Sequence, residues 1–148
     1  MIYIGSDHAG YELKEKLKIF LESLELKVED KGAYTLDNKD DYPDFIVPVA
    51  EAVAKDLDSF GIILGGSGEG EAISANKVDD IRAVEYYGGN LEIIKLAREH
   101  NDANILSLGA RFVTDDEAKE AVHLFIDTKF TNDERHIRRI NKIDEEEK

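Results

Sequence analysis

The chain has 148 residues, 42% hydrophobic and 35% charged, which suits one globular domain with a single core rather than a disordered chain. Its 33 acidic and 19 basic side chains leave a formal net charge of -14, which argues against nucleic acid and anionic membranes as partners, since both demand a basic face. Cysteine is absent, which removes disulfides, thiolate nucleophiles and cysteine zinc sites.

In chain order, "MIYIGSD" reads as a first strand. Its apolar opening, Met1 to Ile4, is too short for a signal peptide, no segment has the length of a membrane span, and a cytoplasmic location is expected. Tyr11 to Leu24 repeats apolar residues at helical spacing: Leu13, Leu17, Phe20, Leu21 and Leu24. "LKVEDKG" is a second, weaker strand and "TLDNKDD" a polar loop. Pro43 suits a helix start after Asp41, and Val47, Ala50 and Ala54 continue the pattern. Pro48 sits awkwardly there and marks either a later start or the first turn. "FGIILGG" is the third strand, followed by a helix from about Gly70 to Lys77. "IRAVEYY" is the fourth strand, with a helix over Asn90 to Glu99, and "ANILSLG" is the fifth. Thr114 caps a helix whose Glu117 completes a capping box, and a last helix runs from about Asn132 to Ile143. The reading is one α/β domain over 1–143, with 144–148 as an acidic tail. It is a Rossmann-like sandwich: a five-stranded, mostly parallel sheet flanked by helices, plus a C-terminal helix.

In open sheets of this kind ligands bind beyond the carboxyl ends of the strands. That directs attention to "GSDH", "GGSGEGE", "YYGGN" and "LGAR". The loop after the third strand, "GGSGEGEAISANK", is the densest in glycine. It lacks the Lys-Ser/Thr pair of a Walker A loop. It also fails the dinucleotide fingerprint, because Glu71 stands where the third glycine belongs, although Glu85 sits near the spacing of a ribose-binding acid. A tight turn alone needs fewer glycines. Successive N–H groups from Gly66 to Gly70 next to a helix start form an anion-binding concavity, and the anion can be the oxyanion of an enolised sugar. Glu71 falls in the first helical turn, where it is either a dipole-complementing glutamate or a base beside those donors. The helix start lowers its pKa and burial raises it; which prevails is not legible in the sequence.

Asp7 either caps the next helix or serves a site, and His8 at a strand end is no core residue. His100 reads as a loop histidine, with Asn101 beside it shaping a turn. Arg111 follows the fifth strand, and Arg135 and Arg139, four apart, share a helix face suited to gripping phosphate or to plain solvation. The four histidines show no H-x-x-x-H or H-E-x-x-H spacing, so no metal is expected.

Six blocks in register, "GSDHAGYELK", "DYPD", "GIILGGSGEGEAISANKV", "IRAV", "AREHNDANILSLGAR" and "RHIRRI", resemble ribose-5-phosphate isomerase type B, a family that includes the galactose-6-phosphate isomerase subunits. The resemblance covers Met1 to about Ile143. It implies interconversion of an aldose phosphate and a ketose phosphate through an enediolate, ribose 5-phosphate and ribulose 5-phosphate first among them, without metal or cofactor. Many members carry a cysteine base at the position of Gly65; this chain resembles the branch with glycine there and a glutamate base at Glu71. By resemblance, His100 is the proton donor and Ser67 with Gly66, Gly68, Glu69 and Gly70 forms the cradle for the sugar oxygens. Asn101, Asp7 and His8 match substrate contacts, the last two assisting ring opening, and Arg111, Arg135 and Arg139 match the phosphate grip. Tyr42 sits in a motif near the family's site. The resemblance also implies a homodimer, or a pair of dimers, with sites built from both subunits. The alternatives are a hexose 6-phosphate of allose or galactose type as substrate, a non-catalytic sugar-phosphate-binding subunit, and, on architecture alone, a dinucleotide-binding or flavodoxin-like module.

Overall fold

Apolar runs of about five residues, too short for buried helices, become strands packed from both sides. The computed structural model describes residues 1–146. Strands β1 (Ile2–Ser6), β2 (Val28–Asp30), β3 (Phe60–Gly65), β4 (Ala83–Tyr86) and β5 (Ile105–Gly109) form one sheet, in the order β2-β1-β3-β5-β4, with every pairing parallel. Six α-helices link and flank them: α1 (Tyr11–Ser23), α2 (Pro43–Lys55), α3 (Glu69–Ala75), α4 (Glu92–Asn101), α5 (Asp115–Asp127) and α6 (Glu134–Glu146). None is long and apolar enough to cross a membrane.

Strand periodicity divides the core in two. Ile4, Ile62, Leu64, Leu106 and Leu108 face Leu13, Leu17 and Leu21 of α1, Ile94 of α4, and Val122 and Phe125 of α5. Ile63 and Ile105 face Ile46, Val49 and Val53 of α2 and Ala75 of α3. β1 and β3 are neighbours, yet their following helices cover opposite faces. Their carboxyl ends therefore open the crevice that such a switch in direction creates.

Several boundaries differ from the sequence reading. α2 starts at Pro43 and runs straight through Pro48, because the apolar stripe of Ile46, Val49, Ala50 and Val53, not Val47 and Ala54, is buried against the sheet and holds the helix on. α4 lies two residues later than the pattern suggests, which puts His100 and Asn101 in its last turn rather than in a loop. α6 continues to Glu146, through the first residues of the acidic tail; 147 and 148 lie outside the described residues.

The crevice floor is braced by a lysine with no exposed surface. Lys14 Nζ donates to both Asp30 oxygens (2.9 and 2.8 Å) and to the Ala33 carbonyl (2.6 Å). The same turn pairs with the end of β1, through Ser6 N–H to Gly32 O (2.8 Å) and Ala33 N–H to Ser6 O (2.7 Å). Burial would push Asp30 up, but Lys14, Lys18 and the Gly32 N–H outweigh it and hold its carboxyl below the usual range. That contribution is present above the ordinary aspartate pKa and is lost as pH falls through the depressed value. Lys14→Ala is expected to cost about 3 kcal/mol or more in urea unfolding at neutral pH, and to flatten the acid limb of the stability curve.

Candidate active site

The carboxyl end of β3 delivers Gly65 and then a turn of Gly66, Ser67 and Gly68. Gly68 takes φ 84°, a left-handed conformation that glycine adopts without the Cβ penalty and that lets α3 begin at once at Glu69. Two bonds from the residues just after β5 hold the turn: Ala110 N–H to Gly65 O (2.8 Å) and Arg111 N–H to Gly66 O (3.1 Å). A third comes from the buried Ser107 hydroxyl to Gly68 O (2.6 Å). Ser67 Oγ accepts the Glu69 N–H at 3.2 Å. The N–H groups of Gly66, Ser67 and Gly68 meet no acceptor among the described residues, so the turn presents unpaired donors to an anion.

Three glycines of this loop each yield side-chain space to another residue. A Cβ on Gly65 would lie inside the carboxyl group of Glu71. One on Gly66 would come within 3.0 Å of Arg111 Nη1, and one on Gly70 within 2.7 Å of the Tyr42 ring. Glu71 therefore folds back over the end of β3, 4% exposed. Burial pushes its carboxyl up, its own backbone N–H pulls it down, Asp7 pushes it up again, and the net is a raised pKa. Desolvation thus outweighs the backbone N–H.

β1 delivers the other wall. Asp7, 7% exposed, caps the short turn His8–Gly10 by accepting Ala9 N–H (3.0 Å) and Gly10 N–H (3.3 Å). The capping reading holds, and its charge also reaches Glu71 and His8. His8 is half-buried and joined to Asp40 of the loop before α2.

The structure brings Asp7, His8, Gly66, Ser67, Gly68, Glu69, Gly70, Glu71 and Arg111 together at this rim, and adds Tyr42. Glu69 is exposed and donates its N–H to Ser67. His100, Asn101, Arg135 and Arg139 are elsewhere. α4 runs back from the end of β4 to the start of β5, and its last turn is pinned there by Arg98. That guanidinium lies 4.8 Å from the Phe60 ring at the start of β3 and donates to Ala103 O (2.5 Å) and Thr128 O (3.0 Å). His100 stacks on His136 of α6, ring centres 4.4 Å apart, and Thr131 fastens the α5–α6 link to Glu99 O. Arg135 and Arg139 are exposed on α6, with no carboxylate partner among the described residues. β3 spans about 17 Å, with Glu71 folded over its end and the last turn of α4 lying toward its start.

Sequence reasoning missed Ser107, whose signal was a hydroxyl inside an apolar strand, and Asp40, which had none in a loop already rich in aspartate. Glu85, weighed earlier as a ribose-binding acid, sits on the edge strand β4 with Oε1 buried and unpartnered, its carboxyl pushed up by burial, Glu69 and Glu71.

The family described as Ribose/Galactose Isomerase matches residues 2–143. The chain is 43% identical over 147 residues to a ribose-5-phosphate isomerase B of Mycolicibacterium paratuberculosis, covering 99% of this chain and 91% of that one. It is 41% identical to one of Mycobacterium tuberculosis, covering 99% and 90%. A ribose-5-phosphate isomerase B of Mycoplasma genitalium with bound ribulose-5-phosphate superposes with a TM-score of 0.93 at 40% identity, covering 99% of this chain and 95% of that one. One of Clostridium thermocellum gives 0.92 at 44% identity, covering 99% and 96%.

A group whose pKa is raised on folding contributes stability below its unfolded pKa and loses it as pH rises through the folded value. Glu71→Gln removes that loss. The variant is expected to melt above the unmodified chain at pH 8, with the difference vanishing as pH drops below the ordinary glutamate range, a dependence that calorimetry at several pH values reads directly.

Proposed function

The chain belongs to the ribose/galactose isomerase family and is a sugar-phosphate isomerase; we propose that it interconverts ribose 5-phosphate and ribulose 5-phosphate through an enediolate, with Glu71 as the base. The observation that carries the assignment is the Glu71 carboxyl seated in the side-chain space of Gly65, buried, raised in pKa and next to three unpaired N–H groups. A base works best with a pKa near the operating pH, and burial moves Glu71 that way. The linear aldose lies with C1 and C2 over the Ser67–Gly70 turn. Glu71 takes the proton from C2 and returns it to C1, while the N–H donors of the turn meet the charge that develops on the enediolate oxygens. His100 moves a proton on or off oxygen. Arg111, Arg135 and Arg139 bind the phosphate, so that remote binding orients the reacting carbons.

Glu71 lies at the end of β3, while α4 carries His100 back toward the strand starts. The reading is therefore a homodimer in which α4 and α6 of one chain close the crevice of the other. Supporting it are apolar side chains left at the surface on the three helices involved: Ile73 of α3, Ile93 and Leu96 of α4, and Ile137 of α6. The ketose phosphate held by the Mycoplasma genitalium relative favours a pentose phosphate over a hexose phosphate. Turnover compared across ribose, allose and galactose phosphates decides between them, and a chain that binds these sugars but turns over none is a binding subunit.

Glu71→Gln is expected to lower kcat by at least about a hundredfold; near-normal turnover removes Glu71 from the base role. The shared site has its own measurement. Glu71→Gln and His100→Asn chains, each inactive, are unfolded together and refolded at equal amounts. Random pairing leaves one intact site per mixed dimer and restores about a quarter of the unmodified activity. No recovery means that both residues come from the same chain.

A further inference from the structure

α3 has only seven residues, yet it carries the proposed base. A helix that short draws its stability from packing rather than from its own hydrogen bonds. Its N-cap, Gly68, offers no side chain as a cap, and its buried residues are Glu71 and Ala75. Of the two, Ala75 alone belongs to the apolar core. The start of α3 is held by a polar contact instead. Ser107, within β5 and with no exposed surface, donates its hydroxyl to the Gly68 carbonyl at 2.6 Å. The same carbonyl accepts the Ala72 N–H of α3 at 3.0 Å. One oxygen thus joins the sheet to the first helical turn. At the far end Asn76 has the matching part, accepting the Ala83 N–H of β4 (2.8 Å) and donating to the Ala83 carbonyl (3.0 Å).

We propose that Ser107 is a positioning residue for the isomerisation: by holding the Gly68 carbonyl it fixes the start of α3, and with it the Glu71 carboxyl over Gly65. This role rests on the reading of Glu71 as the base. Ser107 is itself fixed from both sides, in register with Ile63 of β3 and Glu85 of β4. The turn lies directly on it, since a Cβ on Gly68 would come within 3.0 Å of Ser107 Oγ and of the Leu108 backbone. A hydroxyl one carbon from the backbone spans that gap. From there the path to the base is short. Glu71 is the third residue of α3, and its carboxyl bonds its own backbone N–H, so the carboxyl goes where the first turn goes. A shift of the turn by about 1 Å would take it out of the side-chain space of Gly65, and a misplacement of that size can cost roughly a hundredfold in rate.

Position and structure separate at this residue. Without the hydroxyl, Gly68 O still accepts the Ala72 N–H, so Ser107→Ala orphans no acceptor and is expected to fold. Serine also carries no charge. The charged groups around the loop are Asp7 from beyond β1, Glu69 of α3, Glu85 of β4 and Arg111 from beyond β5, and Ser107→Ala alters none of them. A change in how Glu71 titrates in that variant therefore reports where its carboxyl sits. Burial is the largest cause of its raised pKa, so a carboxyl that swings into water returns toward the ordinary glutamate range.

The test has two arms. Rates with ribose 5-phosphate across pH are measured for the unmodified chain, Ser107→Ala and Val122→Ala, the last a cavity under α5 that shows what lost stability does by itself. Ser107→Ala is expected to lower kcat by at least about tenfold, with KM within about threefold because the phosphate grip is untouched. The limb on which rate rises with pH moves to lower pH. Val122→Ala keeps kcat within about twofold and leaves that limb in place. In the second arm, melting at pH 8 is measured for Glu71→Gln, Ser107→Ala and the double variant. The gain from Glu71→Gln is expected to shrink to less than about half in the Ser107→Ala background, since the carboxyl is no longer buried there. Should Ser107→Ala fail to fold, Ser107→Cys keeps the shape with a weak donor. The proposal is overturned by a pH limb that stays in place, by a kcat loss no greater than that of Val122→Ala, or by additive melting shifts. Near-normal turnover in Glu71→Gln overturns the base reading, whereas the melting arm needs no turnover and still decides whether Ser107 places the carboxyl.

Discussion

The carboxyl group of Glu71 occupies the volume in which a side chain at position 65 would begin, and the rest of the crevice is arranged around that substitution of one group for another. The helix carrying the glutamate must start within three residues of the strand end, or its first turn cannot reach back. Gly68 in the left-handed region makes that start possible, and Ser107, reaching from the neighbouring strand to the Gly68 carbonyl, keeps it there. Gly66 and Gly70 are cleared for Arg111 and Tyr42 in the same way. A side chain at position 65 would claim the same volume, so it and the Glu71 carboxyl cannot both hold these places.

The all-parallel sheet imposes the second constraint. Every helix that follows a strand returns to the opposite end before the next begins, so the last turn of α4 must finish near the starts of the strands. Arg98 makes that placement rigid by resting on Phe60 and bonding to carbonyls at the ends of α4 and α5. His100 and Asn101 are thereby carried toward the starts of the strands, away from the end of β3 that holds Glu71. The proposed homodimer follows from that division, since a second chain is what would bring the two groups together.

Electrostatics runs against the composition at these points. A chain of net charge -14 repels a sugar phosphate at long range. It keeps Arg111, Arg135 and Arg139 exposed, however, and commits buried acids to local partners: Asp30 to two lysines, Asp40 to His8. Glu71 is buried with no cation beside it among the described residues, and there, as at Glu85, the cost of burying charge becomes a raised pKa.

The strand and helix alternation, the glycine loop and the capping box of α5 were legible because each depends on residues near in sequence: a period of two or 3.6, a turn needing glycine, a threonine reaching three residues on. Pro48 misled because the burial that outweighs it comes from strands distant along the chain. His100 was read as a loop residue because a helix end shifts easily by two positions when no strong cap marks it. Asp40 was invisible, since one aspartate in a polar loop looks like its neighbours until a histidine 32 residues away is brought to 2.7 Å. The sequence by itself determined the class of fold, the position of the glycine-rich loop and the presence of a glutamate in the first turn of the helix that follows it, for local propensity and pattern govern all three. Only the tertiary structure decided that this glutamate is buried over Gly65, that Asp40 pairs with His8, and that the remaining site residues lie at the far end of the sheet. Close approach between distant segments is set by how helices pack on strands, and one-dimensional spacing does not carry that information.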